Sequence, residues 1–251
     1  RRFYQKCDHV YVPTTAMQET LQAHGINRGL RLWQRGVDLD RFAPACRSLA
    51  WRRAHGIGDD EVVVGFVSRL VWEKGLDVLA SVIKCLERKD VPHRSLIVGD
   101  GPARNALESR LPNTVFTGFL SGNELATAYA SSDLFLFPSD TETFGRVTVE
   151  AMASGLPVVG ADAAGTRDLV QDDVTGWLCS PDNTDEFAKK ACRLITNEAL
   201  RNRMSKAAVE RAQTFAWDAI LAQLIQHHDD LLEQSAAPPD AADASTEAAA
   251  Q

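Results

Sequence analysis

From Val62 onward the chain alternates short, almost uninterrupted apolar runs with longer amphipathic stretches, and this alternation limits the fold more than any other feature. The apolar runs are Val62–Val67, Ser95–Val98, Val115–Thr117, Leu134–Phe137 and Val158–Gly160. Between them lie Leu76–Arg88, Ala103–Arg110, Gly122–Ala130 and Gly145–Ser154, with apolar residues at helical spacing. Strands that are apolar on both faces need helices on both faces, so the pattern predicts an α/β, doubly wound parallel sheet. Such sheets bind ligands beyond the carboxyl ends of their strands. The loops carrying Arg69, Gly99 and Glu142 all follow strands and share that edge.

The segment Pro138–Val159 is the most informative of these loops. Its strand ends at Phe137, a polar loop follows, and a helix begins near Gly145. Glu142 stands just before the helix and Glu150 in its second turn. The amides around Phe144 and Gly145 open the helix, and a helix N-terminus with its unpaired N–H groups is an anion site. Gly145 has no side chain to hold a phosphate away. A carboxylate on each side of a phosphate cradle suits a ligand with hydroxyls at both ends, as in a nucleotide diphosphate sugar. Arg69 and Lys74 follow a buried strand and bracket Trp72; a guanidinium grips phosphate bidentately and a lysine adds a point charge.

Other features read as structural. Gly99-Asp100-Gly101-Pro102-Ala103-Arg104 approaches a dinucleotide fingerprint, but Arg104 stands where the third glycine belongs, so a tight turn is the better reading. Asp38 and Asp40 precede Arg41-Phe42 in a linker and read as non-metal acids. Arg146 and Glu150, four apart, have the spacing of a surface ion pair. His227 and His228 point about 100° apart on a helix and read as surface residues, and His9 as core or interdomain. No metal site and no resident cofactor are expected.

The 251 residues are 45% hydrophobic, enough for a substantial core. The net charge of −7 includes three acids after Glu233, and no basic stripe marks a nucleic-acid partner. Five scattered cysteines without Cys-x-x-Cys spacing imply reduced thiols and a cytoplasmic setting. The chain opens at Arg1 rather than methionine and reads as a fragment, so missing targeting signals carry little weight.

Four stretches together resemble the retaining glycosyltransferases of family 4. Glu142 to Glu150 resembles that family's Glu-x7-Glu motif. Gly36-Val37-Asp38-Leu39-Asp40-Arg41-Phe42 is similar to its interdomain segment, with Arg35 in place of asparagine. Arg69-Leu70 to Lys74-Gly75 is similar to its phosphate loop, with Ser68 where glycine is usual, and Gly99-Asp100-Gly101-Pro102 to its glycine-proline turn. The resemblance, from about Cys7 to about Glu233, implies a GT-B fold. Residues 1–35 would be the end of a first, acceptor domain, 36–216 the donor domain, 217–233 a crossover helix returning to the first domain, and 234–251 a disordered tail.

The resemblance also implies roles. Arg69 and Lys74 would hold the diphosphate, Glu142 would contact the transferred sugar beside the Phe144 and Gly145 backbone, Glu150 would accept from ribose hydroxyls, and Gly118-Phe119-Leu120 would lie near the base. Glu142, Arg69 and Lys74 would form the catalytic set, without a metal. Leu32–Asp38 and Trp51-Arg52 resemble the subgroup of GDP-mannose-dependent α-mannosyltransferases and sulfoquinovosyltransferases, which implies a mannosyl donor, with UDP-sugars as the open alternative, and a glycolipid or glycan acceptor. Membrane contact, as a peripheral protein, would come only through the first domain. The alternative is a donor half that binds nucleotide sugar and transfers nothing alone.

Overall fold

The computed structural model describes residues 3–236. The expected tail therefore lies largely outside the described residues, and the last helix continues through its first three positions to Ala236. The chain begins with β1 (Val10–Val12), α1 (Thr15–Ala23) and β2 (Leu30–Leu32), a small parallel β-α-β unit in the register Val10↔Leu30. A linker leads through α2 (Leu49–Ala54) to the main sheet. That sheet is built from β3 (Val63–Val67), α3 (Leu76–Arg88), β4 (Arg94–Val98), α4 (Arg104–Arg110), β5 (Val115–Gly118) and α5 (Gly122–Ala130). It continues with β6 (Leu134–Phe137), α6 (Arg146–Ala153), β7 (Val158–Ala161), α7 (Ala164–Leu169) and β8 (Gly176–Cys179). Three helices end the described residues: α8 (Thr184–Thr196), α9 (Glu198–Gln213) and α10 (Trp217–Ala236).

The main sheet has six parallel strands in the order β5-β4-β3-β6-β7-β8. Chain order reverses between β3 and β6, so a crevice opens where their following loops part to opposite faces. All four residues of β6 are buried, as the unbroken Leu-Phe-Leu-Phe run requires of a strand covered on both sides. Helix α3 covers one face with Leu76, Leu79, Ile83 and Leu86, spaced three and four apart and almost without exposure. Three short elements depart from expectation. β8 was not predicted as a strand, and it begins with Gly176, whose own Cβ would lie 2.0 Å from Val158 O. Helices α2 and α7 span six residues each, too few for a readable period.

Helix α10 returns to the small sheet. The His227 ring stacks on Tyr11 at 5.9 Å and meets His9 edge-on at 6.4 Å, so His227 is packed between elements, unlike the exposed His228. The linker and the start of α10 run together: Val37 N–H donates to Phe215 O at 2.8 Å, and a Cβ on Gly36 would lie 2.4 Å from the Trp217 ring.

Candidate functional site

The site is built on interlocked loops at the carboxyl edge of the sheet. As β3 ends, Ser68 N–H donates to Val98 O and Leu70 N–H to Asp100 O. The Gly99–Pro102 turn lies directly beneath: a Cβ on Gly99 would sit 1.9 Å from Ser68 O and one on Gly101 2.4 Å from Leu70 O. Both glycines have positive φ, 135° and 158°. The two glycines thus serve close backbone approach between neighbouring loops, the structural turn expected from the sequence. Arg104 pairs with Asp100 and Glu108.

Past Leu70 the chain makes a short turn at Trp72–Lys74 and enters α3 through Gly75, with φ 71°. A Cβ there would lie 2.5 Å from Pro138 O, so the β3 and β6 loops touch through a residue that must be glycine. Thr141 Oγ1 donates to Glu73 O at 2.9 Å, and Lys74 Nζ lies 2.5 Å from Glu142 Oε1. Two predicted site residues, 68 positions apart, are therefore in direct contact across the crevice. Each side chain is 19% exposed. Arg69 is exposed on the same loop.

Gly145, with φ 88°, begins α6. The first helical bonds run from Thr148 and Val149 N–H to Gly145 O, leaving the amides before them outside the ladder. Phe144 is buried and packs edge-on against Phe215. Gly165, at the start of α7, completes this corner and was missed in the sequence. Its N–H donates to Glu142 O at 3.0 Å, and its Cβ would meet Glu142 O and the Phe144 carbonyl carbon at 2.8 Å. The only signal was a glycine shortly after an apolar strand.

Glu150 occupies a different environment. Its side chain is 5% exposed, whereas that of Arg146 is 72% exposed, so their 2.8 Å contact is no surface pair. Oε1 accepts from Arg146 Nε, and Oε2 accepts from the hydroxyl of the wholly buried Tyr129 at 3.2 Å. Burial raises the Glu150 pKa, opposed by Arg146, by the Tyr129 hydroxyl and by Arg41. Tyr129 is held well above its usual value, first by burial and then by the neighbouring Glu150 charge. A cavity of about 550 Å³ opens beside this pair, walled by the linker Gly36–Phe42 and Trp217. Lys74 and Glu142 are not among its walls.

The Gly118–Leu120 segment ends β5, two strands from the reversal point. Gly118 adopts φ 76°, its carbonyl accepts from Gly99 N–H at 2.8 Å, and Phe119 is 76% exposed. Asp38 accepts from Arg41 N–H and pairs with its guanidinium at 3.5 Å. Among the described residues no group of three or more His, Cys, Asp or Glu could hold a metal ion.

Comparison with known proteins agrees with this architecture. The profile of glycosyl transferases group 1 matches residues 48–211. The chain is 38% identical over 232 residues to the GDP-mannose-dependent alpha-mannosyltransferase of Corynebacterium glutamicum, covering 92% of this chain and 55% of that protein. It is 38% identical over 227 residues to the sulfoquinovosyl transferase of Arabidopsis thaliana, covering 87% and 44%. The chain thus spans about half the length of the curated relatives it matches. Among solved structures, sucrose-phosphate synthase from Thermosynechococcus elongatus superposes with a TM-score of 0.79 at 25% identity, covering 91% of this chain and 59% of that one. Anabaena HepE in complex with UDP and glucose gives 0.78 at 26% identity, covering 89% and 64%. The fold is that of the GT-B glycosyltransferases. With its profile match and these relatives, the chain belongs to the group 1 glycosyl transferases.

Proposed function

We propose that this chain supplies the donor site of a retaining hexosyltransferase that takes mannose from GDP-mannose and passes it to a lipid-linked or glycan acceptor. The observation that carries the reading is the Lys74–Glu142 contact at the sheet's reversal point, beside the Gly145 helix start. A cation for phosphate, a carboxylate for sugar hydroxyls and unpaired amides meet there. Three relatives of 38–39% identity are named GDP-mannose-dependent alpha-mannosyltransferases, which favours the mannosyl donor over the sulfoquinovosyl one named for a relative of 38% identity.

In this reading the sugar C1–O bond to the diphosphate breaks as a C1–O bond to the acceptor forms on the same face. The acceptor proton passes to the departing phosphate oxygen. The protein stabilises the growing diphosphate charge through Arg69, Lys74 and the α6 amides, a fixed electrostatic arrangement that calls for no metal. Glu142 orients the sugar, Glu150 holds the ribose, and the Gly118–Leu120 loop lies near the base.

A second reading has one observation in its favour: the chain covers only about half of its relatives' length. The isolated chain then binds nucleotide sugar and transfers nothing. Calorimetry with GDP, UDP, ADP and GDP-mannose, with and without magnesium, tests both readings. A metal-independent response to GDP and GDP-mannose is expected. Binding of none of them overturns the donor site, and sugar transfer by the isolated chain overturns the second reading.

A further inference from the structure

An ionised carboxylate offers roughly four acceptor positions on its two oxygens. In Glu150 one on each oxygen is already taken, by Arg146 Nε at 2.8 Å and by the Tyr129 hydroxyl at 3.2 Å. The two partners differ in kind. Tyr129 is buried on α5, edge-on to Phe42 at 5.9 Å, and has no freedom to leave. Arg146 reaches in from the surface at the first position of α6 and borders, with Glu150, the cavity of about 550 Å³. A carboxylate buried this deeply with no cation beside it takes up a proton and becomes partly a donor.

We propose that Arg146 is a positioning residue for Glu150: with Tyr129 it keeps the buried carboxylate ionised and turned so that its remaining acceptor positions meet a cis-diol on the cavity side. The inference rests on the donor-binding reading above and identifies the diol as that of the nucleotide ribose. Besides Arg146 on its own helix, the groups facing Glu150 are Tyr129 on α5 and Arg41 on the linker. Arg41 is itself paired with Asp38, so it cannot replace the Arg146 charge in full. The cavity is also lined by Arg35 and by the acids Asp38, Asp40 and Asp218, and among its cations only Arg146 bonds directly to Glu150.

The test is the affinity of GDP-mannose between about pH 8 and about pH 6, over which its diphosphate diester does not titrate. Wild type, Arg146→Gln, Arg146→Lys and the same Arg146→Gln change in a Glu150→Gln background are compared. The Arg146 side chain is mostly exposed, so unchanged thermal unfolding is expected for its variants. Arg146→Gln is expected to bind about tenfold more weakly than wild type at the acid end, with a smaller loss at the alkaline end. Arg146→Lys restores most of the affinity. In the Glu150→Gln background Arg146→Gln adds no pH dependence and little further loss. An unchanged pH profile in Arg146→Gln overturns the proposal. So does an equal loss in the Glu150→Gln background, which would mean direct contact between Arg146 and the ligand. Wild type that binds no nucleotide overturns the donor-binding reading itself and takes this inference with it.

Discussion

Lys74 Nζ and Glu142 Oε1 stand 2.5 Å apart and join the loops that follow β3 and β6, the two strands between which the sheet order reverses. A diphosphate arriving in this crevice competes with Glu142 for the ammonium group. Lys74→Ala is expected to weaken GDP binding about tenfold or more, as for a charge-assisted hydrogen bond. Glu142→Gln frees the lysine and strengthens GDP binding about threefold, the scale of a partly screened ion pair. GDP-mannose gains nothing from that change because its sugar loses a partner. Calorimetry of both variants with both ligands checks the opposite signs; equal weakening of GDP by both would refute the competition.

Gly75 is fixed by backbone geometry. With φ 71° and a Cβ position 2.5 Å from Pro138 O, Gly75→Ala is both left-handed and in collision with the main chain. A loss of about 2 kcal/mol or more is expected. Urea unfolding would read it as a lower midpoint. A midpoint unchanged from wild type would mean that the two loops part freely.

Cys179 is buried at the end of β8 and burial pushes its thiol up to about 12. The folded state therefore keeps a proton that the unfolded chain gives up near the ordinary thiol value. Its contribution favours unfolding as pH rises from about 9 toward 12. At about pH 8 iodoacetamide is expected to label the partly exposed Cys7, Cys46 and Cys192 in the native protein and to spare Cys179. Peptide mapping after labelling gives the answer, and rapid native labelling of Cys179 would contradict it.

Asp168 on α7 clasps the start of α1. Thr15 N–H donates to Oδ2 at 2.6 Å, and the Thr15 hydroxyl donates to Oδ1. Asp168→Ala removes a helix N-terminal acceptor and a negative charge from the positive end of α1, at a cost of about 1–2 kcal/mol. Hydrogen exchange should show the loss locally, with faster exchange in Val10–Val12 and unchanged protection in Leu134–Phe137. Uniform acceleration across both strands would place the cost in global stability instead.

How much of this was legible in the sequence depends on the range of the interaction involved. Four of the five predicted strands were readable because burial on both faces leaves an unbroken run, as in Leu134–Phe137, whereas the edge strand β5 is only partly buried and was read from its short apolar pair Val115-Phe116. β8 was not, because Gly176–Cys179 becomes a strand only by pairing with Val158–Ala161. Glu142, Gly145 and Glu150 could be placed around one helix start from spacing alone. Their partners could not: Lys74 reaches Glu142 only because β3 and β6 are neighbours, and Tyr129 reaches Glu150 only because α5 lies against α6. Arg146 and Glu150 had the spacing of a surface pair, and nothing in that spacing told that one would be buried and the other exposed. His227 read as a surface residue because its packing partners, Tyr11 and His9, lie more than two hundred positions earlier.

The glycines beneath the crevice have a consequence for how such a protein can diverge. At Gly99 and Gly101 the first side-chain carbon would fall within 2.4 Å of a carbonyl oxygen, so each position accepts one amino acid out of twenty. Phe119, on the rim above, is open to solvent over three quarters of its surface, and the fold accepts almost any residue there. Random mutation therefore meets an intolerant floor and a permissive rim. Selection can change what the rim prefers through single substitutions, while the strand ends that carry it stay where they are.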